Sequence, residues 1–480
     1  MFRLILRQAN WGVLGSIFSF IIGFFVKVYL IDIVGLDEWG KYVAAQTFSS
    51  ISETLLSLGI PYVIIKFIPS FIEVNNRKAG RLASIFLKYA LLIGGLYLVI
   101  IYFSSSSINN ILYDIDDFSY ILFIMCIHVP ISMLFGVILS LYRSVLKIKE
   151  IVLYGTILSV FIRATLTFII FCFTDSIVHF IFIEIFTQTF VLFILLYLFN
   201  KNEFPIFISA NIREVTSNKE MIDYGSKMFY NSVVGFVSAQ VLSFIISIKL
   251  PMQHVGAYNI LLSLTGLTTF LLINLNKVFA PAISKLYNDN NLLELNQLYK
   301  KTTFFINILT IPFIISIALF CDEILALYSK EMIQYKNYLF FMLTGGMLSL
   351  AAGSSGTFMV MAGLEKANLY IQLIRAIMLM ILSLLLIPAF GMKIIVILYV
   401  LFMLFTNVSQ LVLISINLNI TPLSRELIFL FLLTSICMYI AIEQQYIFNM
   451  YHYFIVPISL YLIFFTIMFF PIKKLIKDLF

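Results

Sequence analysis

Charge is what this chain has least of. Asp, Glu, Lys and Arg make up 11% of its 480 residues, under half of the roughly 25% usual in soluble domains. The four cysteines, Cys126, Cys172, Cys321 and Cys437, are scattered without Cys-x-x-Cys spacing. That spacing argues against a disulfide framework, a zinc ribbon or a redox pair, and for small apolar fillers. His128, His179, His254 and His452 are dispersed, with no His-x-x-x-His pair, and neither a P-loop nor a Gly-x-Ser-x-Gly elbow occurs. Zinc-peptidase, nucleotide-hydrolase and α/β-hydrolase chemistry therefore lack their usual residues, and no metal or cofactor is expected. Long polar segments are missing too. The longest, residues 200–221, is too short for a soluble domain.

What fills the chain is apolar surface: 61% of residues are hydrophobic and the mean hydropathy is +1.03. No single water-soluble core can absorb that much, so the solvent is a bilayer. Fourteen apolar stretches, each about the roughly 20 residues needed to cross hydrocarbon, follow one another: 9–33, 40–66, 82–103, 118–141, 151–173, 176–199, 222–248, 256–280, 301–321, 334–361, 368–388, 393–416, 426–442 and 452–470. They lack the alternation of barrel strands, and unpaired backbone groups are too costly in lipid. An all-α integral membrane protein of about 14 transmembrane helices is expected. The first stretch is too long for a signal-peptide core and is read as a retained span.

Nineteen Lys and Arg residues, from Arg3 and Arg7 to Lys473, Lys474 and Lys477, fall on one side of these spans and five on the other. The rich side, with both termini, is expected to be cytoplasmic. The net charge of +7 is mostly this loop bias, so a nucleic-acid surface is not implied. On the opposite side Asp114, Asp116 and Asp117 form the one acidic cluster, read as a solvated loop in preference to a catalytic group.

Polar residues inside the spans fall on stripes. Gly12, Ser16, Ser19, Gly23 and Lys27 share one face of the first span, and Gln46, Ser49, Ser50, Glu53 and Ser57 one of the second. The seventh repeats the theme with Lys227, Asn231, Gly235 and Ser238 beside Gln240, and the eighth with Asn259, Ser263, Gly266 and Thr269. Small residues alone would fit close helix packing. Lys27 and Glu53 favour a water-filled cavity, because ionisable groups at depth are expensive. Arg163 lies near mid-membrane in the fifth span and Glu184 at nearly the same depth in the sixth, as a structural ion pair or as part of a transport site. Arg375 is read either as snorkelling to the cytoplasmic surface or as a charge within the bundle. The GSSG at 353–356 marks a hinge or a tight contact.

Two local features recur at one offset. Gly40-Lys41-Tyr42 and Gly256-Ala257-Tyr258 lie 216 residues apart, as do Leu153-Tyr154 and Leu369-Tyr370. A duplicated six-span unit follows: an N-lobe at 1–199, a cytoplasmic linker at 200–221, a C-lobe at 222–417, and an added helix pair with a basic tail at 418–480. The lobes are expected to form a parallel repeat that suits alternating access.

The segment HVGAYNILLSLTGLTTFLLINLNKVFAPAISKLYNDNNLLELNQLYKKTT, the VGLDEWGKY turn and the LLSLGIPYVIIKFIP that follows it resemble the bacterial polysaccharide transporter family. These are O-antigen or capsule repeat-unit flippases, in the superfamily that also holds multidrug extruders and lipid II flippases. The resemblance implies a two-lobe transporter in the bacterial inner membrane, not an enzyme, whose cavity is lined by spans one, two, seven and eight. Its cargo would be undecaprenyl-diphosphate-linked oligosaccharide, its surroundings membrane lipid, and its partners a polysaccharide polymerase and a chain-length regulator. Lys27, Arg163 and Lys227 would then contact the diphosphate, and Gln46, Asn231, Gln240 and Asn259 the sugar hydroxyls, with Glu53 available to couple an ion. The alternatives are a lipid II or teichoic precursor flippase, a multidrug extruder, and, in another class, a membrane polysaccharide polymerase.

Overall fold

The computed structural model describes residues 2–209 and 219–434. Every extended apolar run among them is helical, as backbone in hydrocarbon requires. Eleven helices among the described residues are long and apolar enough to cross a membrane. One of them, Leu14–Leu56, holds the first two expected spans, so twelve of the fourteen are accounted for. The second half of the thirteenth and all of the fourteenth lie outside the described residues.

Breaks in the helices follow from single residues. The long helix Phe2–Leu56 turns back on itself at Gly35, whose φ of 83° and ψ of 168° cost only glycine nothing. A second break falls at Leu58 and Gly59, with φ of 45° and 71°. The expected span 40–66 is therefore interrupted, and its last part belongs to a separate helix, Ile60–Val74. Pro61 sits in the first turn of that helix, where its missing N–H costs nothing. Ile64 and Ile68 are fully buried, whereas Lys66 faces outward and pairs with Glu220 at 3.3 Å.

The fold divides into two compact units at Gly256 and Ala257. In the first, Ile64, Ile68, Ile138, Leu141, Leu195 and Phe199 form the core. The helix Lys219–Lys249 packs here, with Gly225 under Val63 and the carbonyl of Gly225 against Gly59. Compactness thus separates the chain after the seventh span and not at the 200–221 linker. The duplication rests on the 216-residue offset, which compactness does not address.

The recurrent Gly-x-Tyr turns have a packing reason within this first unit. A methyl on Gly40 would fall on the backbone of Met252, and one on Gly256 would meet the Leu36 carbonyl at 2.5 Å and the Gly40 amide at 3.2 Å. The two turns press glycine to backbone against each other. Tyr42 and Tyr258 point into the protein and are buried.

In the second unit the helix Lys336–Leu350 stops and Ser355–Met361 resumes after it. Gly353 takes φ of 57° between them. The carbonyls released by the break are recaptured: Asn307 Nδ2 donates to Leu350 O at 2.8 Å, and Tyr299 Oη donates to Ala352 O at 2.7 Å. Gly353 lies against Thr303, and a methyl on Gly356 would stand 3.3 Å from the Gln410 amide nitrogen. The GSSG segment is a side-chain-capped break in a tight contact.

Candidate substrate cavity

The polar stripe of the first span lies opposite an exposed apolar face. On the first arm Leu14, Ile17, Ile21 and Phe25 are exposed, and at 100° per residue they occupy the face opposite Gly12, Ser16, Ser19, Gly23 and Lys27. Close packing falls on Gly15, where an added methyl would come within 2.6 Å of Val152, whereas Gly12, Gly23, Gly235 and Gly266 have open space over their α-carbons. Helix contact therefore does not explain these glycines.

Within the first unit, Gln46, Ser49, Ser50, Glu53, His128, Ser159, Arg163, Glu184, Thr187 and Gln188 line a cavity of about 270 Å³. An i→i+5 stretch over Ile151–Leu158 resets the helical phase, and Gly155, Ser159 and Arg163 then share the cavity face. Arg163 Nη1 donates to Glu184 Oε1 at 2.9 Å. Tyr42 Oη donates to Glu184 Oε2 at 2.8 Å, and Gln46 Nε2 donates to Tyr42 Oη at 3.0 Å. Glu184 is thus held from both sides, as a carboxylate in the membrane interior requires. One turn further along the same helix Gln188 Nε2 donates to Ser132 Oγ at 3.2 Å, which lies 3.1 Å from His128 Nδ1. Two polar groups remain open: Thr187 Oγ1 is buried without a hydrogen-bond partner among the described residues, and Glu53 makes no ion pair among them.

Four of the expected site residues, Gln46, Glu53, Arg163 and Glu184, therefore meet in one cavity. The others lie elsewhere. Lys27 sits with its ammonium 5.3 Å from the Trp39 ring centre. Lys227 pairs with Asp223 at 2.7 Å, one turn away, and both are exposed. Asn231 is exposed on the same face and Gln240 half-buried, while Asn259 is half-buried in the helix Met252–Asn288. Each cation expected to serve a diphosphate is already engaged, and the cavity of the first unit carries more carboxylate than guanidinium.

Tyr42, His128, Thr187 and Gln188 were not expected. Tyr42 precedes Gln46 by four residues and Glu53 by eleven, so the stripe of the second span extends to it. Gln188 follows Glu184 by one helical turn within Thr187-Gln188-Thr189, a signal present in the sequence, whereas His128 is a lone polar residue in an apolar run. In the second unit a further polar chain escaped notice: Ser355 Oγ donates to Gln410 Oε1 at 2.7 Å, and Gln410 Nε2 donates to Asn368 Oδ1 at 2.8 Å.

No curated protein matches the sequence significantly. Solved structures with the same fold are numerous. The lipid II flippase MurJ in its inward closed conformation superposes with a TM-score of 0.72 at 14% identity, covering 96% of this chain and 99% of the other. An inward-facing multidrug resistance MATE transporter of the MOP superfamily gives 0.67 at 12% identity, covering 86% and 94%. A MOP superfamily transporter from Pyrococcus furiosus gives 0.63 at 13% identity, covering 87% and 95%. The fold is that of the MOP superfamily transporters, with many membrane-spanning helices. A family profile described as polysaccharide biosynthesis protein matches residues 32–336, a range that contains the Gly-x-Tyr turns, the cavity of the first unit and the linker. With well over half its length matched, this chain belongs to the polysaccharide biosynthesis protein family.

Proposed function

We propose that the protein translocates undecaprenyl-diphosphate-linked oligosaccharide repeat units from the cytoplasmic to the outer leaflet of the bacterial inner membrane by alternating access, both of its termini being cytoplasmic. The observation that carries this reading is an ionisable, hydrogen-bonding cavity inside a membrane-spanning unit of a polysaccharide-biosynthesis chain. A sugar diphosphate cannot cross hydrocarbon unaided, since each charge costs between about 3 and 15 kcal/mol at the bilayer centre. A polar cavity removes most of that barrier. No covalent step is required of the protein, and the polyprenyl tail stays in lipid. Gln46, Asn231, Gln240 and Asn259 offer amides to sugar hydroxyls. Lys27, Arg163 and Lys227 supply cations once the cargo competes with Trp39, Glu184 and Asp223 for them. A polymerase and a chain-length regulator would receive the product.

The test is reconstitution. In proteoliposomes the protein should move a lipid-linked diphosphate oligosaccharide between leaflets faster than protein-free vesicles do, and a rate equal to theirs would overturn the reading. A multidrug extruder is the second reading, favoured by one observation: Glu53 opens into the cavity without an ion pair among the described residues, as a site for a cationic drug would. Protein-dependent uptake of ethidium with no flipping of the oligosaccharide lipid would select it.

A further inference from the structure

Arg375 lies ten residues into the helix Glu365–Phe390, about 15 Å from its start at 1.5 Å per residue. That distance is beyond the reach of an arginine that snorkels. Its direction is inward as well. Ile371 and Leu379, one turn before and one turn after, are buried, whereas Ile374, Ile377 and Ile381, turned away from them, are exposed. Ile371 packs in the core of the second unit with Ile283 of Met252–Asn288 and Ile414 of Met392–Leu418. Those two helices bring Tyr258 and Tyr399 within electrostatic reach of the guanidinium. Its Nε is buried without a hydrogen-bond partner, and no carboxylate pairs with it among the described residues.

The first unit holds a corresponding cluster. Tyr42 and Tyr258 are related by the 216-residue offset, as are Tyr154 and Tyr370. Arg163 follows Tyr154 by nine residues and Arg375 follows Tyr370 by five, so in each case an arginine follows the tyrosine along the same continuous helical segment. In the first unit Glu184 neutralises the guanidinium. In the second no carboxylate pairs with Arg375 among the described residues, and Tyr399 is a phenol within its electrostatic reach. A positive charge at this depth is expensive unless something answers it, and a guanidinium flanked by phenolic donors suits a phosphoryl oxyanion.

We propose that Arg375, Tyr258 and Tyr399 form an anion-binding site in the second unit that takes a phosphoryl group, with Nε and the two hydroxyls as donors. That the anion is the diphosphate of the cargo rests on the flippase reading. The site itself does not.

Purified full-length protein in phosphatidylcholine nanodiscs would be titrated separately with undecaprenyl diphosphate, inorganic diphosphate and phosphatidylglycerol, with bound species counted by native mass spectrometry. Arg375→Gln should weaken undecaprenyl diphosphate binding roughly tenfold or more, and Tyr399→Phe a few-fold, as expected for loss of charge-assisted hydrogen bonds. Should Arg375→Gln not fold, Arg375→Lys and the double variant Tyr258→Phe/Tyr399→Phe read the same donors, and at least one must weaken binding. Arg375-dependent binding of phosphatidylglycerol or inorganic diphosphate, with none of undecaprenyl diphosphate, would keep the site and remove the flippase reading. Undecaprenyl diphosphate binding that is equal in the wild type and all folded variants would remove the site and leave the flippase reading standing. A wild type that binds none of the three overturns the site.

Discussion

Arg163 and Glu184 are unequal partners. Arg163 keeps 35% of its side chain exposed and Glu184 only 10%, so removing the carboxylate strands a guanidinium that still sees some water. Removing the guanidinium strands a buried acid. Glu184→Gln should lower stability by about 3 kcal/mol, the low end for breaking a buried pair, and Arg163→Ala should cost more. Thermal unfolding in detergent checks both, and the exchange Arg163→Glu/Glu184→Arg should recover part of the loss. Tyr42→Phe deletes one donor to Glu184 and one acceptor for Gln46, worth about 1–2 kcal/mol. At Lys27 the ammonium lies over Trp39, an interaction worth roughly 0.5–2 kcal/mol, and on the flippase reading a diphosphate competes for this cation. Lys27→Ala should therefore abolish surface polysaccharide at normal protein level. Unchanged polymer output would remove Lys27 from the transport path.

At the scale of elements, the breaks matter more than the helices. Gly35, Gly59 and Gly353 all take positive φ; at Gly59 and Gly353 a neighbouring element also needs the space, whereas Gly35 has open space and rests on its backbone conformation alone. The Gly-x-Tyr turns are the tightest case, because Gly40 and Gly256 share one contact. Gly40→Ala and Gly256→Ala should each destabilise the protein by about 2 kcal/mol or more. Their double variant should cost clearly less than the sum, since the first substitution already opens the contact. Additive losses in a double-mutant cycle would mean that the turns do not press on each other. In the second unit Asn307→Leu strips the cap from the Leu350 carbonyl and should cost about 1–3 kcal/mol.

For the whole molecule the question is energy. An inside-negative potential pushes an anion outward by about 2.3 kcal/mol per charge per 100 mV, and a dianion by about twice that. Cations that travel with the cargo cancel part of the push. In proteoliposomes an imposed potential alone should accelerate outward flipping. Glu53, in the cavity without an ion pair among the described residues, is the group that would add a proton or sodium drive. Glu53→Gln should then lose any response to an ion gradient at zero potential while keeping the response to potential. A gradient response that survives in Glu53→Gln would remove Glu53 as the coupling site.

The spans and the Arg163–Glu184 pairing could be read from the chain alone, because hydropathy is a local sum and depth along a helix is simple counting. The family could be read too, from short segments around Gly40 and Gly256. Position along the sequence does not report azimuth across a bundle. Tyr42 reaches Glu184 across 142 residues, and Arg163 joins the cavity only after the i→i+5 stretch before it resets the helical phase. Lys227 looks like a cavity cation until Asp223 is found beside it at 2.7 Å, and Arg375 looks like a snorkelling cation until Ile371 and Leu379 turn it inward. Whether a charge in lipid is answered by a partner depends on atoms a few ångströms away on other helices, and only packing decides which atoms those are.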